Sequence, residues 1–214
     1  TQHPVLSVQS ETNNPPFNFI KNGQPNGYSM DYLQLLANML EVKFKLVTDH
    51  TWSGYIDMLK SNEIDLLANI IASDQRKLWA RFSPEIAQSF DAITVKNTNI
   101  GQGGALELFS GKKIAVIKNF YQEEILRQHY PTIEIVEVNN ALEGLTLVSN
   151  DLVEAYIDTL GSSNYFIANY FITNLVPIPI TDNPHFSRTG IAIATNKQNP
   201  VLTSIIDKAV KLVP

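Results

Sequence analysis

The sequence predicts an α/β protein of two lobes, each an open sheet with helices on both faces. Three observations carry this expectation. Apolar runs of strand length alternate with amphipathic helical stretches almost throughout the chain, the pattern that builds largely parallel sheets. A second such series begins near Gln88 to Asp91, inside strand-like sequence rather than in a flexible linker. The final strand and helix then lack a partner in that second series. A chain that visits one lobe, crosses to another and returns accounts for both facts, with residues 1–88 and 189–214 in the first lobe and 89–188 in the second. Two crossings make a hinge. Open α/β sheets bind ligands at the carboxyl ends of their strands, which makes the cleft between the lobes the expected site.

In chain order, Val5 to Val8 reads as a strand running into the turn-rich ETNNPPFNF. A helix opens at Gly27-Tyr28-Ser29. There Ser29 is placed to cap the first turn, Asp31 suits the positive end of the dipole, and Met30, Leu33, Leu36, Ala37 and Leu40 form an apolar face. Lys43 to Val47 is a strand, Ser53 to Lys60 a short helix, and Ile64 to Ile71 a nearly continuous apolar strand suited to the middle of a parallel sheet. Asp74 to Arg81 reads as another short helix. In the second series, strands are expected at 92–96, 113–117, 133–138 and 154–157, and helices at 120–130, 141–149 and 162–170. The stretch VPIPITDNPHFSRTG crosses back to a strand at 191–195 and an amphipathic helix at 200–212.

Composition narrows the function. Of 214 residues, 44% are hydrophobic and 17% charged, an ordinary globular balance. Twenty-one acidic against 16 basic side chains argue against nucleic acid, whose phosphates call for a basic surface. Without cysteine there is no disulfide, zinc–thiolate site or thiol nucleophile. His3, His50, His129 and His185 lack ligand spacing, so no metal is expected. The longest apolar run, interrupted by Asp65 and Asn69, is far short of the ~20 residues of a membrane helix. The N-terminal residues do not read as a basic-then-apolar leader, and both ends read as cut from a longer chain, so missing targeting segments say nothing of location.

Several polar residues fall at strand ends. Ser73 and Arg76 follow LLANIIA, where a guanidinium suits a carboxylate; the alternative is a surface arginine on a short helix. Asp158 follows EAYI and either holds an ammonium group or caps the next helix. Together they offer opposite charges from opposite walls, as an α-amino acid requires. Asn119, Phe120 and Tyr121 lie at a helix start whose N–H groups favour an anion, or form an ordinary turn. Phe17 and Trp52 are candidate aromatic walls or plain core. Gly101 to Gly104 lacks the setting of a phosphate loop and reads as a flexible turn. No cofactor is expected, and nothing here supports catalysis.

At these residues the chain resembles the bacterial extracellular solute-binding proteins of family 3, the type II periplasmic-binding or Venus flytrap fold. PPFNFIKNGQPNGYSMDYLQLLANML is similar to the family's Pro-Phe turn, Gly-x-x-x-Asp and helix. TWSGYIDMLKSNEIDLLANIIASDQR is similar to its Trp, Leu-x-x-x-x-Ile-Asp and Thr-x-x-Arg stretch, with Ser73 for the usual Thr. The resemblance implies that Arg76 grips a ligand carboxylate beside the Ser73 hydroxyl, that Asp158 takes the α-amino group, that Phe17 is the Pro-Phe aromatic, and that backbone at Asn69 and Ile71 bonds the ligand. The family's usual Gly-Thr or Gly-Ser at the second-lobe helix start is Asn119-Phe120 here, which leaves Phe120 or Tyr121 to fill part of the pocket.

Within the family, VEVNNALEGLTLVSNDLVEAYIDTLGSSNYFIANYFITNL and NPVLTSIIDKAVKLVP are most similar to flytrap modules of membrane sensor histidine kinases. Transport-type members continue into a Trp-containing tail. The resemblance therefore implies a periplasmic or extracellular domain that closes on a small amino acid or similar zwitterion and is tethered to a membrane signalling protein. The alternatives are a free-standing receptor serving an ABC permease and a cyclohexadienyl dehydratase-like enzyme on the same fold.

Overall fold

In the computed structural model, which describes residues 4–102, 105–186 and 188–213, the chain gathers into two compact units. One holds the residues up to Gln88 and from Gly190 onward, the other Ser89–Thr189.

The first unit begins with β1 (Val5–Gln9), then β2 (Asn13–Asn14), β3 (Asn18–Lys21) and β4 (Gln24–Asn26), which pair as a small antiparallel sheet. Next come α1 (Tyr28–Leu40), β5 (Lys43–Val47), α2 (Trp52–Lys60), β6 (Leu66–Ile71) and β7 (Ala80–Phe82). In the main sheet β1 lies between β5 and β6, all parallel. The chain leaves along β8 (Ala87–Lys96).

The second unit adds β9 (Lys113–Ile117), α3 (Tyr121–His129), β10 (Glu134–Val138), α4 (Ala141–Ser149), β11 (Ala155–Thr159), α5 (Leu160–Asn169) and β12 (Leu175–Pro179). Its sheet runs β10-β9-β11-β8-β12, the first three parallel and β8 antiparallel to both its neighbours. β13 (Arg188–Asn196) returns the chain to pair antiparallel with β6 and β7, and α6 (Pro200–Leu212) follows.

Each unit has its own core. In the first, α1 and α6 pack together over Val8, Leu66, Ala68, Ile191 and Ile193, while α2 reaches β6 with buried residues outside that cluster. In the second, the two-residue period of a strand sends Ile114, Val116, Ala155 and Ile157 to a cluster with Leu126 of α3. Ala115, Ile117 and Tyr156 go to the opposite cluster with Leu145 of α4 and Phe166 of α5. Covering both faces is what a parallel sheet requires, and it explains why these strands read as continuous apolar runs.

Four expectations are corrected. Ser29 does not cap α1. The helix starts two residues earlier than a Ser29 cap would place it, with Gly27 as its N-cap, and Ser29 is buried. The turn before it does the capping through its carbonyls, Pro16 accepting Tyr28 N–H and Phe17 accepting Ser29 N–H at 3.0 and 2.9 Å. Gly27 permits this approach: its φ is 111°, and a Cβ there would lie 2.4 Å from the Phe17 carbonyl oxygen.

ETNNPPFNF is not turn alone, since β2 lies within it and β3 begins at its Asn18. The helix expected at 74–81 shrinks to one 3₁₀ turn, Arg76–Leu78, because Ala80–Phe82 pairs with β13 instead. The crossing stretch contains β12, whose Pro177 and Pro179 are tolerated because it pairs only with β8, at a sheet edge. The polar loop after β8 forms 3₁₀ turns over Asn97–Gln102, and Gly103 and Gly104 lie outside the described residues.

One position tests the packing of the second unit. A Cβ on Gly144 of α4 would sit 2.4 Å from the Tyr156 ring. Gly144→Ala is expected to cost about 1–3 kcal/mol in urea unfolding followed by circular dichroism, the usual range for overpacking. Gly54→Ala in α2, where the nearest atom is 3.4 Å away, is expected to be neutral or to stabilise by up to ~1 kcal/mol.

Candidate functional site

Because β1, β5 and β6 run parallel, their carboxyl ends lie together, and the polar residues of the first unit collect there. Arg76, in the 3₁₀ turn after β6, is only 2% exposed. Its Nη1 donates to the Ile71 carbonyl at 2.9 Å, and its backbone N–H donates to Ser73 Oγ at 3.2 Å. The reading of a surface arginine is thereby overturned: the guanidinium is buried, with its stem folded back on the strand it follows. The Ile71 carbonyl serves this arginine, and the Ser73 hydroxyl closes the turn that aims it.

Asn69 lies at the centre of a buried polar network. Its Oδ1 accepts from Gln9 Nε2 and Asn18 Nδ2, each at 3.0 Å, and its Nδ2 donates to Glu11 Oε1 at 2.6 Å. Asn18 Oδ1 accepts the Glu11 N–H at 2.9 Å, and Gln9 Oε1 accepts the Ala68 N–H at 2.8 Å. Gln9, Glu11 and Asn18 are missing from the sequence reading, although the polar run Gln9-Ser10-Glu11 directly after a strand was the available signal. Phe17 packs in the core with Val8, Leu33 and Leu36. Trp52 is buried at the first position of α2, which Thr51 caps.

In the second unit the equivalent end gathers Asp158, Asp91 and the starts of α3 and α5. Asp158, next to last in β11, is 1% exposed. Its Oδ2 accepts from the Tyr156 hydroxyl at 2.8 Å and its Oδ1 from the Thr159 N–H at 2.7 Å. Burial pushes this carboxyl up, while the Ser162 hydroxyl, the Thr159 N–H and the Tyr156 hydroxyl pull it back. Asp158 does not cap α5. Thr159 does, its Oγ1 accepting the Ser162 N–H.

Asp91 is missing from the sequence reading, in which it directly precedes the strand expected at 92–96. It is fully buried and pairs in register with Thr159, while Ala92 pairs with Asp158. Gln122 Nε2 donates to Asp91 Oδ1 at 2.8 Å. Burial pushes the Asp91 carboxyl up to about 7, with the Gln122 bond opposing and the charge of Asp158 adding to the rise.

At the start of α3 the Asn119 N–H donates to Glu123 Oε2 at 2.5 Å and the Phe120 N–H to the Ile117 carbonyl at 3.0 Å. Asn119 itself adopts a φ of 60°. Tyr121 turns its hydroxyl to the His185 carbonyl at 2.9 Å.

Among the described residues no group of three or more His, Asp or Glu is placed to hold a metal, and no helix is long and apolar enough to cross a membrane. A surface groove of about 890 Å³ on the first unit, lined by Met30, Leu33, Ala37, Phe44 and Leu46, contains none of the predicted site residues.

Two α/β units that each concentrate buried polar groups at the carboxyl ends of their strands define a binding module. The chain belongs to the bacterial extracellular solute-binding proteins, family 3, which it matches over residues 6–213. That family places it with extracytoplasmic binding proteins rather than enzymes. The chain is similar to the virulence sensor protein BvgS of Bordetella pertussis, at 26% identity over 208 residues, 97% of this chain and 16% of that protein. It is also similar to the L-cystine-binding protein TcyJ of Escherichia coli, at 32% identity over 133 residues, 61% of this chain and 50% of the other. Its fold matches the periplasmic VFT2 domain of Bordetella pertussis BvgS with a TM-score of 0.85 at 24% identity, covering 99% of this chain and 89% of that one. The chain thus spans about one sixth of the length of the sensor proteins it matches.

The raised Asp91 carboxyl has a signed consequence. Folded protein holds this proton up to about pH 7, whereas the unfolded chain releases it near 3.8. The folded state binds more protons in that window, so stability falls as pH rises through it and levels off above. Melting temperatures measured from pH 4.5 to 8 are expected to show this decline, and Asp91→Asn to flatten it, the cost removed being on the order of a few kcal/mol.

Proposed function

We propose that this module binds a small zwitterion, an α-amino acid, with Arg76 on its carboxylate and Asp158 on its ammonium group. The observation that carries the reading is the pair of buried opposite charges, a guanidinium at a strand end of the first unit and a carboxylate at a strand end of the second. Burial strengthens such charge-assisted bonds, because little water competes for them. A ligand that engages both units favours whichever arrangement lets it do so, by the difference in its affinity for the two states. That is the physical basis of closure about β8 and β13, which in this reading are the hinge. Ser73, Asn69 and Ile71 shape the arginine side, and Phe17 and Trp52 back it.

The likeness to a sensor protein along 97% of the chain supports a role as the input module of a membrane signalling protein. The likeness to an L-cystine-binding protein supports an amino acid as ligand, and favours as second reading a receptor that serves a membrane importer. The encoding gene distinguishes them: continuation past residue 214 into a membrane segment and a kinase is the expected finding for a sensor.

Titration calorimetry with the standard amino acids tests the pocket. At least one is expected to bind, and Arg76→Ala and Asp158→Ala each to weaken it by a hundredfold or more, with circular dichroism confirming that both variants fold. Binding within threefold of the parent in either variant would remove that residue from the site.

A further inference from the structure

The second unit buries a carboxyl for which the proposed ligand has no use. Asp91 lies in β8 opposite Thr159, so its side chain leaves the sheet on the face away from Asp158 and meets Gln122 of α3 there. Neither side chain reaches water, Asp91 being 0% and Gln122 1% exposed. One bond joins them, from Gln122 Nε2 to Asp91 Oδ1 at 2.8 Å. The other oxygen of each, Asp91 Oδ2 and Gln122 Oε1, is buried with no hydrogen-bond partner.

Buried polar atoms are nearly always matched, and here two go unmatched on side chains already in contact. An ionised carboxylate only accepts, as does an amide oxygen, so these two atoms have nothing to offer each other. A single proton removes both faults. A carboxylic acid presents one O–H beside one C=O, the complement of the N–H and C=O of a carboxamide. With the Nε2 bond made, an O–H on Asp91 Oδ2 turns two orphaned acceptors into one hydrogen bond.

The surroundings favour the neutral acid. Among the described residues around Asp91, β12 has no ionisable side chain and Asp182 beyond it is exposed. On α3, Glu123 and Arg127 bond each other, His129 stacks on His185, and Tyr121 gives its hydroxyl to the His185 carbonyl. Glu124, two residues past Gln122, lies on another side of the helix. Burial pushes the Asp91 carboxyl up to about 7, the Gln122 N–H pulls against it, and the charge of Asp158 on β11 adds to the rise.

We infer that Asp91 and Gln122 form a proton-dependent latch, in which a proton on Asp91 Oδ2 is donated to Gln122 Oε1 and fastens the start of α3 to β8. When that proton leaves to water the second bond is lost, two acceptors are opposed, and the start of α3 loosens. The stretch before β13 feels the change as well, since Tyr121 beside Gln122 holds the His185 carbonyl at 2.9 Å. The latch is independent of which ligand the module takes.

Carbon-13 spectra of protein labelled at its aspartate carboxyls test the proton, and amide hydrogen exchange tests the latch. The Asp91 carboxyl carbon, assigned through its own backbone, is expected to titrate near pH 7, and the Gln122 side-chain N–H signals to follow the same curve. From pH 6 to pH 8, after correction for the intrinsic rate, exchange in the first turn of α3 is expected to rise at least tenfold. Asp91→Asn puts an N–H where the O–H stood and has no proton to lose, so the rise is expected to vanish there, with circular dichroism confirming the fold. An Asp91 carboxyl that titrates below pH 5, a parent protein whose exchange does not rise, or a rise that persists in Asp91→Asn overturns the inference. The parent's titration and exchange need no variant, so they decide the matter even if Asp91→Asn does not fold.

Discussion

A charged group buried at the end of a strand covered on both faces cannot reach water, so its bonding must be built from the residues around it. Leaving such a group unmatched costs several kcal/mol, a large share of what holds a domain together. Asp158 meets the requirement through its own strand. Tyr156 lies two residues earlier and therefore on the same face, and its hydroxyl reaches the carboxylate. The Tyr156 ring in turn needs the space that Gly144 leaves on α4. Arg76 is held by an equally local device, the Ile71 carbonyl and the turn closed by Ser73. Both charges are thereby fixed in place by the residues around them.

The same rule explains which parts of the molecule can be read from the chain. Helices α4 and α6 are legible to the residue because local signals bound them. Asn140 and Asn199 cap them through their side chains, and Pro200 takes the first position of α6. Strand β9 is equally plain, an apolar run of four, Ile114 to Ile117, between lysines. Strands β7 and β12 are not, since each forms only because a distant strand offers its edge, and the strands of the small sheet are too short, at two to four residues, to show a period. No local pattern separates Ala80–Phe82 from the end of a short helix.

The candidate site divides in the same way. Arg76 and Asp158 stand out as charges terminating apolar strands. Asp91, Glu11 and Gln122 do not, because their burial is imposed by elements far away in sequence: β11 and α3 cover Asp91, and Asn69 of β6 meets Glu11. Glu123 was hidden for another reason. A glutamate three residues after a Ser or Thr announces a capping box, but here the cap position is Phe120, so the back-reach to Asn119 carries no signature.

Net charge is a poor guide to local electrostatics here, since -5 is a sum over the whole chain while Arg76 and Asp158 are single buried charges. Burial also sets the state of Asp91, whose carboxyl it pushes up to about 7. Ionising it in place would leave a charge with no access to water, so keeping the proton and keeping the fold are two sides of one equilibrium.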